Sequence, residues 1–503
     1  MNFDFAVLGL QNFVPETILT ATFIVALLVD ALFKEKRVAA GTAFVGMAIA
    51  GYFVLQQHAA AQAWVFTGTS VFRHPYGMFA VDRLSTFFKL ILTLAGLVVL
   101  LFSFASREVH DEGREHVGEY YSLIVAALLG MFLMTGVTDI LMMYIAIELV
   151  SISSYILAGF TKNVYRSSEA ALKYVIFGAA ASGMMLYGFS LLFGLTGTTN
   201  LFEINEFIGS HNVNNVVLLL SGVLILVGFG YKISAVPFHF WTPDVYEGAP
   251  ITVTAFLSVA SKAAGFSMLL RFLLLAYPNV SKDGFEWTAI LTVMSVLTMT
   301  LGNLVAIHQT NMKRLLAYSS IAQAGYILMG VVILSVQGLT AVMIYFVVYL
   351  FMNLGAFYIV QVVAERVGSE EIEDYKGLAK RMPFMAGAMV LFMMSLTGIP
   401  MTAGFVGKLF LFAAVLDRAA TQTGFYWLLL IAVLNSVVSL FYYIKVVKAM
   451  YLEKGEEDAP PIRVGAVPII LTLLMAVPTL YFGLNWQPVV DLAQKAVQAW
   501  VMQ

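Results

Sequence analysis

Three absences narrow what this 503-residue chain can be. It has no cysteine, which excludes disulfides and iron–sulfur clusters held by cysteine thiolates. Only 12% of its residues are charged, where about a quarter is typical, so the chain is not a soluble globular protein. It also has no GxGxxG or Walker-type loop that would bind a nucleotide. Any redox or ATP-dependent chemistry therefore has to belong to another chain.

Hydrophobic residues, in contrast, make up 60% of the chain, and its mean hydropathy is +0.86. A helix needs about 20 consecutive apolar residues to span a bilayer. Runs of this length predict about fourteen transmembrane helices, near residues 14–33, 38–56, 84–104, 120–137, 139–160, 172–196, 216–247, 250–275, 287–307, 314–334, 338–362, 384–414, 426–450 and 465–484. The polar segments between them are loop-sized. The chain is predicted to be an all-α polytopic membrane protein.

Two of these runs are too long for one straight helix. Residues 216–247 contain Pro237, and residues 384–414 contain Pro400. Proline lacks a backbone N–H and its ring clashes with the preceding turn, so it interrupts a helix. At membrane depth, irregular backbone is tolerated only where protein buries it or where it lines a water-filled cavity. Each run therefore predicts a broken helix at a site that is buried or wet.

The two broken helices are alike, because each pairs a glycine-rich interruption with one lysine, GFGYK at 228–232 and GFVGK at 404–408. The spans around each would form a unit of five helices. Since five is odd, two such units in succession are inverted relative to each other, as in many transporters. We therefore expect four segments: 1–119 with the first three transmembrane helices, 120–275 and 287–450 as inverted five-helix repeats, and 451–503 with the C-terminal transmembrane helix and a tail.

The basic residues predict how the chain is oriented. With the N-terminus outside, 17 of the 28 lysines and arginines fall in inside loops. The remainder are the outside residues Arg73, Arg83, Arg271, Lys282, Arg418 and Lys495, and the residues within spans, Lys89, Lys173, Lys232, Lys262 and Lys408. Lys89 is close to the outer end of its span and is expected to extend to the interface. Because cytoplasmic loops carry an excess of Lys and Arg, both termini are predicted on the outer side.

Four charged residues stand at the centre of predicted spans or beside the breaks: Glu148, Lys232, Lys262 and Lys408. A lysine at the centre of a membrane helix costs roughly 2.5–3.5 kcal/mol, so the three lysines together approach roughly 10 kcal/mol, the scale of a whole domain's net stability. A lysine can take up and release a proton, whereas an arginine cannot. Together, these four residues predict a proton path in which Glu148 sets the charge state of Lys232.

Simpler interpretations stay open for several of these residues. Lys232 could be a helix-end lysine whose amine reaches the interface, and a protonated Glu148 could hydrogen-bond to a neighbouring helix. His239 is either a relay, since imidazole titrates near neutral pH, or a partner of the carbonyls freed by the break. Glu169 and Lys173 are spaced i, i+4, which favours an ordinary ion pair as much as a role in the path.

Five stretches together match a known pattern: IELVSISSYILAGF, SSEAALKYVIFGA, GFGYKISAVPFHFWTPDVYEGAP, NMKRLLAYSSIAQAGY and SLTGIPMTAGFVGKLFLF. On them, roughly residues 75 to 455 of the chain resemble the antiporter-like membrane subunits of respiratory complex I (NADH:quinone oxidoreductase), which are related to Mrp-type sodium/proton antiporter subunits. Within that family the chain is most similar to the N type, on PDVYEGAP, TAFLSVASK and NSVVSLFYYIKVVKAM. The M type is expected to have glutamate where Lys408 stands, and the L type to continue into a long lateral helix.

The resemblance implies two inverted five-helix units, each with one broken helix. It also implies that Glu148 pairs with Lys232 of the first broken helix, that Lys262 is the central relay lysine and that Lys408 serves the second broken helix. His239 matches the histidine just beyond the first break. No cofactor is implied in this chain, whereas flavin, iron–sulfur clusters and quinone are expected in partner subunits.

The implied partners are other membrane subunits of complex I and the lipid bilayer, with no nucleic acid and no nucleotide. The implied location is a bacterial inner membrane, with a thylakoid membrane as the alternative. The leading function is a proton-translocating translocase subunit without redox chemistry of its own. The alternative is an Mrp-type cation/proton antiporter subunit, driven by an ion gradient rather than by electrons. A purely structural scaffold is disfavoured by the cost of the central charges.

Overall fold

A computed structural model describes residues 9–32, 37–60, 63–65, 77–112, 117–277, 287–455 and 460–501. Of the basic residues named above, Arg73 and Lys282 lie outside these ranges, as do the two chain ends. The α-helices of the described ranges are α1 (Val14–Leu32), α2 (Arg37–Ala59), α3 (Arg83–Ser103), α4 (Val117–Gly136), α5 (Ile140–Ala158), α6 (Tyr165–Thr196), α7 (Leu201–Ser210), α8 (Asn215–Ile233), α9 (Trp241–Gly248), α10 (Ile251–Phe256), α11 (Lys262–Ala276), α12 (Trp287–Ile307), α13 (Met312–Ile333), α14 (Val336–Val367), α15 (Leu378–Arg381), α16 (Pro383–Thr397), α17 (Ala403–Ala419), α18 (Phe425–Tyr451), α19 (Ala466–Leu484) and α20 (Gln487–Val501).

Across these ranges, 13 helices are long and apolar enough to cross a membrane. The run predicted at 384–414 is not among them, because it is divided into the shorter helices α16 and α17. The remaining predicted runs each have a spanning helix. With the divided run counted as one crossing, the prediction of about fourteen membrane crossings is confirmed.

Both predicted breaks are present. α8 ends at Ile233 and α9 begins at Trp241, while α16 ends at Thr397 and α17 begins at Ala403. A left-handed residue follows each first half, Ser234 with φ 61° and Gly398 with φ 92°. Glycine adopts this conformation without steric cost, whereas for serine it is strained. The surrounding structure therefore has to hold the first break in place.

The span over residues 250–275 has a feature that the prediction of a plain helix missed. α10 and α11 are joined by a π-helical turn, Leu257–Ser261, which ends immediately before Lys262. Single π turns inside α-helices are rare and occur frequently at functional sites. The extra residue in this turn changes the direction in which the side chains after it point, including that of Lys262.

The helices differ in how far they are buried. Within an apolar 18-residue stretch of each helix, 94% of the residues are buried in α13, 89% in α14 and 89% in the span Ile251–Ala276. The buried share is 33% in α6, α18 and α19. A helix that is apolar all round belongs in the interior of a bundle, and one with an exposed apolar face belongs at its lipid-facing surface. α13 and α14 therefore form the centre of the bundle, around which the polar side chains described below converge.

Several elements were not predicted. The short strands β1 (Ala63–Val65) and β2 (Phe79–Val81) pair antiparallel. α7 forms within a segment predicted as a loop, and its N-cap Asn200 accepts hydrogen bonds from the amides of Phe202 and Glu203. α20 forms within the predicted tail. All are too short or too polar to register in a search for spanning apolar runs.

The expectation that Lys89 extends to the interface is wrong. Its side chain is fully buried, and its amine lies 2.6 Å from the carboxylate of Glu16 on α1. Arg271, which was counted as an outside residue, is buried as well, and its guanidinium lies 2.9 Å from the carboxylate of Asp82, the N-cap of α3. Its assignment to the outer side stays a prediction. In both cases an acid from another helix neutralises the charge, so the cation has no need to reach water.

Candidate functional site

The first charged group lies between α5 and the end of α8. Lys232 stands in the last turn of α8 with 2% of its surface exposed, and its amine lies 3.4 Å from the Ser151 hydroxyl on α5. Glu148 is one turn before Ser151 on the same helix, so the two share a face. Within the described ranges, Oε1 of Glu148 is buried and has no hydrogen-bond partner. Glu148 and Lys232, both of them described, are not within salt-bridge distance of each other.

Lys262 is held close to the end of α8 by a glycine. A Cβ at Gly265, three residues after Lys262 on α11, would lie 3.0 Å from Cγ2 of Ile233 and 3.4 Å from Cγ of Lys232. The missing side chain lets the two helices approach closely. The Lys262 amine itself donates to the carbonyl of Ser320 at 2.7 Å and to its hydroxyl at 2.8 Å. Lys262 is therefore packed beside the Lys232 segment and hydrogen-bonded to α13.

Lys408 is held by the second break. It lies in α17, and its amine donates to the carbonyl of Thr397 at 2.7 Å and to the hydroxyl of Ser436 at 2.8 Å. Thr397 is the last residue of α16, and the last four carbonyls of a helix have no intrahelical partner. The amine also lies 4.6 Å from the centre of the Tyr326 ring on α13, in a cation–π contact. The break thus supplies the backbone acceptor that binds this lysine.

A polar face of α13 connects the surroundings of Lys262 and Lys408. Ser319, Gln323 and Tyr326 follow one another at i, i+4 and i+7, which places them on one side of the helix. Ser319 and Gln323 both contact the Tyr443 hydroxyl of α18, at 2.5 and 3.3 Å. Ser320, the partner of Lys262, is next to Ser319. Partners of both lysines therefore lie on the same helix.

His239 lies within the first break and is only 4% exposed. Its Nδ1 has no hydrogen-bond partner among the described residues. Within the described ranges, its ring contacts none of the three lysines Lys232, Lys262 and Lys408. Its role as a relay therefore stays a prediction.

Glu169 and Lys173 form an ion pair of 2.8 Å, as their i, i+4 spacing predicted. The pair is part of a larger network, because Lys173 also contacts Asp244 of α9 at 2.7 Å. Arg314 of α13 in turn contacts Asp244 at 2.8 Å and Glu247 at 2.7 Å. The network anchors the second half of the first broken helix to α6 and α13. A part in proton movement stays a prediction.

Several residues were not singled out from the sequence, namely the lysine partners Ser151, Ser320, Tyr326 and Ser436 and, between the partners on α13, Gln323. Their chemical types are common in any helix, and none carries a charge that would be costly in a membrane. One signal was available in α13, where AYSSIAQAGY places polar side chains at helical spacing within an otherwise apolar span. That spacing predicts a polar face, but the lysines it serves lie on other helices.

Comparison with known proteins places these residues in a family context. Residues 137–439 match the family described as "NADH:quinone oxidoreductase/Mrp antiporter, TM", and this range includes Glu148 and the three lysines. A relative from Chloroherpeton thalassium, named NADH-quinone oxidoreductase subunit N 2, is 46% identical over 498 residues, which are 97% of this chain and 95% of the relative. The similarity therefore extends over nearly the full length of both chains.

Two solved structures share the fold. A chain of respiratory complex I from Thermus thermophilus has a TM-score of 0.77 and 30% identity, over 95% of this chain and 99% of that one. A chain of the Mrp complex from a Dietzia species has a TM-score of 0.84 and 21% identity, over 97% of each chain. At 21% identity the second match shows the fold alone.

Proposed function

The chain belongs to the family of NADH:quinone oxidoreductase and Mrp antiporter membrane subunits, and we propose that it is the proton-translocating subunit N of an NADH:quinone oxidoreductase. The observation that carries the proposal is the row of Lys232, Lys262 and Lys408, each buried and each with a hydroxyl within hydrogen-bonding distance of its amine. Ionisable residues inside a membrane are costly and mark ion or proton pathways. Electron transfer takes place in other subunits, and this chain moves protons.

In the proposed relay, Glu148 controls Lys232. An ionised carboxylate nearby favours the protonated amine, whereas desolvation disfavours it. When Glu148 and Lys232 move apart, the amine releases its proton toward Lys262, which lies one helical turn before the point where α11 packs against Lys232. Lys262 passes the proton along the polar face of α13 toward Lys408. His239 is proposed as an additional relay at the break, and Glu169 with Lys173 as further members of the path.

The architecture supports this division into steps. We propose that residues 120–275 and 287–450 are two inverted five-helix repeats, each contributing one broken helix and one lysine beside it. Residues 1–119 and 451–503 supply the flanking helices. Two related halves, each with a broken helix and a lysine beside it, would let a proton enter one half and leave from the other.

The remaining assignments follow from subunit N. Flavin, iron–sulfur clusters and quinone belong to partner subunits, and the partners within the bilayer are other membrane subunits of the complex. The membrane is a bacterial inner membrane, and both termini face the periplasm because the basic loops favour the cytoplasm. Cysteine labelling tests the orientation in this cysteine-free chain. A cysteine placed near Lys376 that reacts with an impermeant reagent from the periplasmic side would show the reverse orientation.

The test of function uses the complete complex in sealed vesicles, with electron transfer and acidification measured together. Leucine in place of Lys232, Lys262 or Lys408 should abolish acidification while the complex assembles. A scaffold would tolerate all three changes. Acidification driven by an ion gradient in the absence of electron donor would instead identify the Mrp-type antiporter activity.

A further inference from the structure

One buried glutamine lies between the two ends of the proposed relay. Gln323 is in the middle of α13, fully buried, three residues after the Lys262 partner Ser320 and three before Tyr326, whose ring lies under the Lys408 amine. At 1.5 Å rise per residue, about 5 Å along the helix separates it from each of those two residues. The glutamine is thus near both lysines without being a ligand of either.

The contacts of Gln323 tie together three other helices. Its Nε2 donates to the Leu396 carbonyl of α16 at 3.0 Å and to the Tyr443 hydroxyl of α18 at 3.3 Å. Its Oε1 accepts from the Tyr345 hydroxyl of α14. Because a carbonyl only accepts, the amide nitrogen has to face Leu396 and the amide oxygen has to face Tyr345. The orientation of the carboxamide is therefore set by its surroundings.

The contact with Leu396 is the informative one. Leu396 and Thr397 are the last two residues of α16, so their carbonyls are among the four that the helix leaves without partners. The amide of Gln323 binds the first of these carbonyls, and the amine of Lys408 binds the second. One helix end is thus shared by the glutamine and the lysine, and a shift of this end relative to α13 changes the site of Lys408.

We infer that Gln323 is a positioning residue, which holds the broken end of α16 against α13 and so sets the place of Lys408 relative to Lys262. Its neutral side chain also keeps the segment between the two lysines uncharged. Both effects depend on the proposed proton relay, because they concern transfer between its lysines.

Two variants separate these effects. Gln323→Met keeps the length and approximate volume of the side chain but removes its hydrogen bonds. It should slow proton translocation about three- to tenfold, the effect of losing about one net hydrogen bond. Gln323→Glu keeps the shape and places an anion between the lysines when ionised. An anion there favours protonated amines, so the pH profile of translocation should move toward alkaline pH by on the order of one unit.

The measurement is the rate of proton translocation at equal rates of electron transfer, followed from acid to alkaline pH, in vesicles with the complete complex. Gln361→Met is the matched control, because Gln361 is a buried glutamine of α14 that also donates to a backbone carbonyl, that of Phe102 at 3.1 Å. It should leave translocation unchanged. A merely structural role for Gln323 would lower the yield of complex without changing the translocation rate of the assembled complex or its pH profile.

Lys408→Met is measured beside these variants, so that two failures can be told apart. If Lys408→Met translocates protons normally, the relay itself is wrong. If Lys408→Met stops translocation but both Gln323 variants behave like Gln361→Met, the relay stands and the role of Gln323 is refuted. Should Gln323→Met fail to assemble, Gln323→Glu decides alone, and an unchanged pH profile overturns the inference.

Discussion

The two broken helices hold their lysines in different ways. In the first, Lys232 precedes the break, and its amine is 3.4 Å from the Ser151 hydroxyl. In the second, Lys408 follows the break, and its amine lies 2.7 Å from the carbonyl of Thr397 and 2.8 Å from the Ser436 hydroxyl. The first lysine is loosely held opposite an acid, and the second is tightly held by the backbone.

The order of lysine and break explains the difference. The carbonyls that a helix leaves unpaired are at its C-terminal end. Lys408 lies beyond such an end and its side chain can return to it, whereas Lys232 is itself part of the last turn. The first lysine therefore depends on side chains from α5, and the second depends on the break. In the proposed relay, the first half contains the acid switch, in which Glu148 controls the protonation of Lys232. The second half contains a fixed site, in which the backbone holds Lys408.

Removing the charge of the second half should have the largest effect. Lys408→Met should abolish proton translocation, whereas Lys408→Glu keeps a titratable group and should retain part of it. The complex should still assemble, because replacing a lysine inside the membrane by an apolar residue removes an insertion cost of roughly 2.5–3.5 kcal/mol. The measurement is acidification of vesicles at equal rates of electron transfer. A normal rate with Lys408→Met would contradict the role assigned to it.

The acid switch of the first half should give a smaller effect. At an effective dielectric of about 20, lengthening a contact between opposite charges from roughly 4 to 8 Å weakens their attraction by about 2 kcal/mol. Glu148→Gln should therefore slow translocation by roughly tenfold or more, and Glu148→Asp should be milder because the charge is kept.

A double-mutant cycle tests whether Glu148 and Lys232 act on one step. Glu148→Gln combined with Lys232→Ala should be no slower than the worse single variant, because residues that act together are not additive. Losses that multiply would show two independent residues and remove the contrast between the halves.

Backbone conformation should matter next. Gly398 has φ 92°, and a Cβ there would lie 2.9 Å from Cδ of Lys408. Gly398→Ala should destabilise the protein by about 1–2 kcal/mol and slow translocation, because both the backbone and Lys408 have to shift. The measurement is thermal unfolding of the purified complex together with vesicle acidification.

A matched control for Gly398→Ala is Gly183→Ala. Gly183 is within α6, and a Cβ there would have nothing within 4 Å. Alanine is the better helix former by about 1 kcal/mol, so this variant should be neutral or slightly stabilising. Equal losses in both variants would mean that the Gly398 site has no special requirement.

The hydroxyl partners should give the smallest effects, and they should differ. Ser436→Ala removes a 2.8 Å contact with Lys408, whereas Ser151→Ala removes a 3.4 Å contact with Lys232. A hydrogen bond to a charged group contributes about 1.5–3 kcal/mol when well formed, so Ser436→Ala should slow translocation more than Ser151→Ala. The comparison of the two rates under identical conditions tests this. A larger effect at Ser151 would mean that the first lysine is the more tightly held.

Two buried ion pairs show what sequence position leaves open, and for Lys89 they overturn the expectation. Lys89 and Arg271 stand near the ends of apolar runs, which is the usual place for side chains that reach water. Each instead meets an acid from a helix distant in the sequence, Glu16 and Asp82. Sequence position gives the depth of a charge but not its partner, because the partner depends on how the helices pack.

The sequence by itself determined the membrane class, the number of crossings, the two breaks and the costly charges at Glu148, Lys232, Lys262 and Lys408. Each of these follows from local chemistry, namely apolar run length, the missing N–H of proline and the desolvation of charge. The tertiary structure alone decided what binds each lysine, since Ser320 is 58 residues from Lys262 along the chain and Ser436 is 28 from Lys408. Serine and glutamine carry no cost large enough to reveal them in a sequence, and their importance arises only where packing places them beside a charge.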